Sequence, residues 1–246
     1  MLKPTIFREY DIRGVADQEL LSEDVKDLGR ALGTYLRRHA GANICLARDT
    51  RLSSPRLHDA LLAGLIESGC QVKDLGVVPT PLLYYSVVHW KADGGVMITG
   101  SHNPAEYNGF KTMCGASTIH GEQIQEVLRM IQSKDFDSGS GSVENVDAVT
   151  PYVEEIASQF RFKRRVKLVV DAGNGTAGPV MDKLLAKLDC EPVKLFFDMD
   201  GHFPNHHPDP TVEANLEHLK KAVAEHRADL GIAFDGDADR IGAIDE

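Results

Sequence analysis

The sequence predicts an α/β protein of two mixed, mostly parallel sheet domains with helices on both faces. Three observations carry this. Short apolar runs that read as strands alternate with stretches whose apolar residues recur at helical spacing, and repeated alternation of this kind implies parallel strands joined by helical crossovers. A chain of 246 residues, 42% of them hydrophobic, can fill more than one core. The Gly/Ser-rich tract Ser138-Gly139-Ser140-Gly141-Ser142 breaks the pattern, which places a domain boundary near Asp147 and gives domains 1–146 and 147–246.

The first domain opens with an extended stretch at 4–10. Ser22 or Asp24 is placed to cap a helix whose Val25, Leu28, Leu32 and Leu36 share a face. A strand is expected at 43–47. Ser54-Pro55 then opens a helix through Leu57, Ala60, Leu61, Leu65 and Ile66 that ends at Gly69, with a strand at 71–78 after it. Past Pro79 and Pro81, an apolar helix at 82–89 leads into a short buried strand at 94–99. Ser101 falls on the turn beyond its carboxyl end, where open α/β sheets place their ligands. A strand at 108–113 and a helix at 122–131 complete this half.

A helix at 149–160 joins the halves. The second domain then reads as strand 166–170, helix 179–188, strand 192–197, helix 212–225, strand 230–234 and a final strand at 241–244. No residue-level repeat relates the two halves.

Composition excludes several classes. The charge balance, 27 Lys plus Arg against 37 Asp plus Glu for a net −10, disfavours a broad nucleic-acid surface. No apolar run approaches membrane-spanning length, and the first residues lack a signal-peptide pattern, so the expected address is the cytoplasm with no membrane partner. Cys45, Cys70, Cys114 and Cys190 are scattered, which suggests reduced core residues rather than a zinc site or a disulfide framework. Local positive charge gathers in turn-like segments at Arg8, Arg13, Arg48, Arg51, His102, Lys111 and Arg240.

Two motifs together point to phosphoryl transfer. Asp235-Gly236-Asp237-Ala238-Asp239-Arg240 follows a buried strand, and its alternating carboxylates are hard oxygen ligands for a small divalent cation. Without one, each like-charge pair at about 4 Å costs roughly 1 kcal/mol in water and about 4 at an effective dielectric near 20. Mg2+ is the natural counter-cation. The cluster is no calcium loop, because Arg240 stands where that loop needs glycine and the flanks read as strands. In Thr99-Gly100-Ser101-His102-Asn103-Pro104, Ser101 offers an exposed-turn hydroxyl. It is not a hydrolase elbow, since Thr99 and Asn103 replace the required glycines.

Two other patterns compete. Gly173-Asn174-Gly175-Thr176-Ala177-Gly178, with Asp198 about twenty residues on, has the spacing of a dinucleotide-binding fingerprint; the plainer reading is a tight strand-to-helix turn. His202, His206 and His207 fit no zinc spacing and read as incidental histidines of a Pro-rich loop.

In combination these residues resemble the α-D-phosphohexomutases, specifically the bacterial phosphomannomutase/phosphoglucomutase branch. The resemblance runs through the whole chain: Phe7-Arg8-Glu9-Tyr10-Asp11-Ile12-Arg13-Gly14, the serine loop, Tyr107-Asn108-Gly109-Phe110-Lys111, 171–178 and 235–240. Gly100 favours this branch over phosphoglucosamine mutase, the alternative within the family, where Ala is commoner.

The resemblance implies a phosphate on Ser101 and Mg2+ held by Asp235, Asp237, Asp239 and a phosphate oxygen. Hexose 6-phosphate and hexose 1-phosphate would interconvert through a hexose 1,6-bisphosphate, with glucose 1,6-bisphosphate as activator. It further implies that Lys111 and Arg13 assist proton transfer and stabilise charge, that His102 supports the serine loop, and that Arg240 and Tyr10 contact substrate. Family members have four domains and act as monomers. The third and fourth, which select the sugar and bind its distal phosphate, have no counterpart in this sequence, so the chain is expected to be a poor mutase alone. Two readings of other classes remain: a nucleotide-binding oxidoreductase domain built on 173–178, and a non-catalytic scaffold stabilised by metal.

Overall fold

In the computed structural model, which describes Leu2 to Asp245, the alternating pattern forms two sheets. The first half contains β1 (Ile12–Val15), α1 (Ala16–Glu19), α2 (Ser22–His39), β2 (Asn43–Arg48), α3 (Ser54–Glu67), β3 (Gln71–Val77), α4 (Thr80–His89), β4 (Gly94–Ile98), β5 (Tyr107–Cys114), β6 (Ser117–Thr118), α5 (Glu122–Ser133) and β7 (Ser142–Asn145). Its strands run in the order β1-β5-β4-β2-β3-β7, with β6 paired to β5. The β4-β2-β3-β7 part is parallel, whereas β1, β5 and β6 are antiparallel.

Period-two alternation sends the residues of β2 to opposite faces. Ile44 and Leu46 pack with Leu28, Leu32, Leu57, Leu61 and Val127 from α2, α3 and α5. Cys45 and Ala47 instead meet Leu82, Leu83 and Val87 of α4. Both sets are buried, which is why the strand reads as one apolar run rather than as an alternation. The leucines on the buried stripe of α2 are fully enclosed, and each stabilises the fold by roughly 1.5–3 kcal/mol.

The second half follows α6 (Val149–Gln159) with β8 (Val166–Asp171), α7 (Ala177–Leu185), β9 (Cys190–Leu195), a 3-10 turn (Glu213–Leu216), α8 (Glu217–His226), β10 (Leu230–Phe234) and β11 (Ile241–Ile244). Strand order is β11-β10-β8-β9, parallel except for β11. Val169 faces Leu219 and Val223 of α8, while Leu168 and Val170 face Leu185 of α7. Val153 of α6 and Val180 of α7 join the core beneath α4, so the two sheets share an apolar seam.

Several local expectations change. The start is not extended: Pro4–Ile6 is a 3-10 turn, and Ile6 and Phe7 are buried under it. Ser22 is the first residue of α2 rather than its cap, the cap position being Leu21, whose side chain makes no cap bond; Arg56 donates to the Leu20 carbonyl and to Ser22 Oγ. The helix expected at 212–225 divides into the 3-10 turn and α8. The strand expected at 192–197 begins earlier and stops at Leu195, because Phe196 takes a left-handed backbone. The Gly/Ser tract is fastened rather than loose: the Gly139 and Gly141 amides donate to the Glu67 and Ile66 carbonyls, and Ser142 begins an edge strand on β3. All four cysteines are free, with only Cys114 short of full burial. Among the described residues no helix is long and apolar enough to cross a membrane.

Candidate active site

The carboxyl ends of β2, β4, β8 and β10 supply the loops of one site. Ser101 lies just past β4, is buried, and has a left-handed backbone with φ 50. Its amide donates to Thr99 Oγ1 (2.8 Å), and its hydroxyl donates to Asp235 Oδ2 at 2.7 Å; His102 Nδ1 is 3.3 Å from the same hydroxyl. The serine and the Asp cluster, 134 positions apart in the chain, therefore touch.

The cluster is shaped mainly by its own turn. Asp235 Oδ1 accepts the amides of Asp239 and Arg240 (3.0 and 3.1 Å), while Ala238 adopts φ 56. The Gly236 carbonyl accepts the Thr176 amide at 3.1 Å. A Cβ on Gly175 would stand 2.7 Å from the Gly236 carbonyl oxygen, so the glycine-rich turn is a support for the Asp loop. The Gly236 backbone fills the side from which a pyrophosphate would approach Gly175, and the nucleotide-binding reading loses its geometric basis.

Burial and the neighbouring Asp237 and Asp239 push the Asp235 carboxyl well above the usual range. Burial would raise Asp237 too, but Lys111 and Thr80 outweigh it and hold that group low. Asp237 Oδ2 accepts from Lys111 Nζ (2.7 Å) and Thr80 Oγ1 (2.6 Å), whereas Oδ1 is buried with no hydrogen-bond partner. One carboxylate oxygen from each Asp lies within 4.8 Å of the others. An orphaned anionic oxygen amid an all-carboxylate donor set fits a hard divalent cation such as Mg2+.

Lys111 also bonds Asp239 Oδ2 at 2.5 Å. Burial opposes its charge, yet Asp237 and Asp239 dominate and raise the ammonium above its ordinary value. His102 is shifted the other way, by burial first and then by Arg240. Arg13 donates to the Gly100 carbonyl (3.1 Å) and pairs with Asp11 (2.5 Å), leaving its buried Nε unpartnered. Arg13, His102, Lys111, Arg240 and Tyr10, all singled out in the sequence, line one open cleft of about 520 Å3 together with Arg8, Ser101 and Asp239. Tyr10 stands 75% exposed at its rim. Asp235 and Asp237 lie beneath the floor rather than in the lining.

Sequence reasoning missed three supports. Arg51 appeared only as a nearby positive charge, yet it is fully buried and donates to the carbonyls of Ser101, Asn103, Pro104 and Tyr107. Thr80 joins α4 to Asp237 by side chain and by backbone. Two of the three loop histidines are not incidental: His206 Nε2 meets Asp171 Oδ2 at 3.0 Å, and His207 Nε2 meets the His102 carbonyl at 2.6 Å, whereas His202 is exposed and bonds only Asp200. A histidine-rich loop was visible in the sequence, but nothing there shows which carbonyl it reaches.

Comparison with known proteins follows the same division. The family description "Phosphoglucomutase/phosphomannomutase, alpha/beta/alpha domain I" matches residues 4–138, and the corresponding domain II matches residues 150–246. A phosphomannomutase/phosphoglucomutase of Pseudomonas putida is 44% identical over 243 residues, covering 99% of this chain and 52% of that protein. A phosphoglucomutase of Neisseria gonorrhoeae is 43% identical over 241 residues, covering 97% and 52%. The crystal structure of a phosphoglucomutase/phosphomannomutase family protein from Burkholderia thailandensis superposes with a TM-score of 0.95 at 43% identity, over 100% of this chain and 55% of that one. The chain thus spans about half the length of the curated relatives it matches.

Proposed function

Because the chain belongs to the phosphoglucomutase/phosphomannomutase family, we propose that it carries the phosphoserine and metal half of a phosphohexomutase. The whole protein would interconvert hexose 6-phosphate and hexose 1-phosphate in the cytoplasm. The observation that carries this reading is the 2.7 Å contact between Ser101 Oγ and Asp235 Oδ2 at the floor of a cationic cleft. A hydroxyl buried against a carboxylate cluster serves no ordinary turn. It is placed where a phosphate would meet a bound cation. The two sheets fit a division into a phosphoserine domain, 1–146, and a metal-binding domain, 147–246.

Asp235, Asp237 and Asp239, with an oxygen of the Ser101 phosphate, would hold Mg2+. When bound, Mg2+ supplies positive charge that offsets the carboxylates and the transferring phosphate. Phosphate would pass from Ser101 Oγ to a hydroxyl of a hexose monophosphate. That hydroxyl's proton leaves as the new ester bond forms, and Ser101 Oγ regains a proton. The hexose 1,6-bisphosphate then reorients and its other phosphate returns to Ser101, so glucose 1,6-bisphosphate would serve as activator.

Lys111, kept charged by its two carboxylate neighbours, is placed to stabilise phosphate charge. Arg13 lies beside it with a free buried donor, suited to a phosphate oxygen. His102 is within reach of the serine oxygen and is disfavoured from carrying charge, which suits a role in holding the loop or relaying a proton. Arg240 and Tyr10, at the open side of the cleft, would bind substrate.

Peptide mass mapping after incubation with glucose 1,6-bisphosphate and Mg2+ tests the reading. Phosphate on Ser101 that disappears in Asp237→Ala is expected. An unmodified Ser101 in the wild-type chain would sink it.

A further inference from the structure

Outside the carboxylate cluster, the most heavily bonded side chain near Ser101 is Arg51. It follows β2, the strand next to β4, and so emerges at the same edge of the sheet as the serine loop. Arg51 is 1% exposed, and every nitrogen of its guanidinium is engaged. Nε donates to Asp49 Oδ2 (3.2 Å); Nη1 donates to the carbonyls of Pro104 (2.5 Å) and Tyr107 (3.0 Å); Nη2 donates to those of Ser101 (2.7 Å) and Asn103 (2.6 Å). Only a planar fork with five donors can serve four carbonyls at once.

Asp49, also buried, fixes that fork. Its Oδ1 accepts from the Arg51 amide and Ser54 Oγ, and Oδ2 accepts the Gly100 amide at 3.1 Å. The pair therefore grips the loop on both sides of the serine peptide. Gly100 permits the approach, because a Cβ there would lie 2.4 Å from Arg51 Cζ. From the loop after β9, the Phe203 ring lies 5.5 Å from the guanidinium, and His207 holds the His102 carbonyl. A serine with φ 50 is in a region L-residues avoid, and it stays there only if its surroundings determine it.

We infer that Arg51, anchored by Asp49, is a positioning residue for Ser101: by fixing the carbonyls of 101, 103, 104 and 107, it holds the serine in its left-handed turn with Oγ aimed at Asp235. The inference rests on the phosphoserine reading for its consequence and on the loop geometry for its substance. Arg51 itself does not line the cleft. Its effect would reach phosphoryl transfer through alignment alone.

Two variants test this in the 246-residue chain. Arg51→Lys keeps the charge and loses the fork; Gly100→Ala keeps both charged residues and pushes the guanidinium aside. Each is followed by the rate of phosphate transfer from glucose 1,6-bisphosphate to Ser101, and by amide hydrogen exchange over residues 99–107. In both variants the rate at saturating bisphosphate is expected to fall at least tenfold and loop exchange to accelerate. The bisphosphate concentration at half-maximal rate and the Mg2+-induced rise in melting temperature should stay within twofold of wild type. Should Arg51→Lys not fold, Gly100→Ala decides alone.

Unchanged loop exchange, or a transfer rate within twofold of wild type, overturns the positioning role. A wild-type chain that takes up no phosphate overturns the phosphoserine reading instead, and exchange over 99–107 still decides whether Arg51 sets the loop.

Discussion

The two loops that meet at the site are built in opposite ways. The Asp loop is turned mainly by its own bonds, since Asp235 accepts amides four and five residues ahead and the backbone turns at Ala238. The serine loop depends on distant parts of the chain: Asp49 and Arg51 from the turn after β2, Arg13 from β1, and His207 from the loop after β9. A cluster of like charges with a local frame is poised for a counter-ion and little else. A strained serine fixed by long-range bonds can be aimed, and can lose its aim through changes far away in sequence. The site thus divides its tasks, with charge handled locally and alignment handled globally.

The widest gap between the loops should appear in stability. Asp49→Ala leaves the Arg51 guanidinium buried without its carboxylate and strands the donors of Ser54 and Gly100. Removing one partner of a buried pair costs about 3–5 kcal/mol. Urea unfolding of Asp49→Ala is expected to show a loss of that size. A loss under about 1 kcal/mol would mean that water or a rearranged loop replaces the carboxylate, and that the serine loop does not rely on this pair.

The same contrast explains what was legible in the sequence. The Asp loop could be read directly, because its chemistry and the bonds that turn it lie within Asp235 to Arg240, although Thr80, Lys111 and Thr176 brace it from outside. Ser101 emerged only in combination, since a serine before Asn-Pro is ordinary and its strained backbone leaves no compositional trace. Arg51 could not be read at all: its role is defined by four carbonyls about fifty residues on, and carbonyls carry no sequence signal. The strand-helix alternation was legible because buried parallel strands are continuous apolar runs. β1 escaped notice where Arg13-Gly14 interrupts the apolar pattern, and β7 because an exposed edge strand of Ser, Val, Glu and Asn has no hydrophobic face.

A second difference concerns the cation. If the Asp loop is self-contained, Mg2+ should stabilise the chain whether or not the serine hydroxyl is present. Binding to the folded state alone gives about 2.7 kcal/mol at a free concentration one hundred times Kd. Calorimetric melting with and without Mg2+ is expected to show that gain in wild type and in Ser101→Ala. Asp237→Ala should lose it, since that change removes the buried oxygen with no other partner. Loss of the gain in Ser101→Ala would instead make the serine part of the cation site even before phosphorylation.

The smallest expected effect tests whether the loops are coupled at all. Thr80, at the start of α4 in the first half, donates its hydroxyl to Asp237 Oδ2 at 2.6 Å and its amide to the Asp237 carbonyl at 2.9 Å. Thr80→Val removes only the hydroxyl, at nearly constant shape, and keeps the amide. Lys111 still serves the same oxygen, so the carboxylate is not stranded. The cost should therefore be that of one net hydrogen bond, about 1 kcal/mol in urea unfolding. An effect of 3 kcal/mol or more would show that Lys111 cannot hold Asp237 by itself, and that the Asp loop leans on the first half as heavily as the serine loop leans on Arg51. In that event the division between local and global support would fail on the side of the cluster, although every bond within its turn remained.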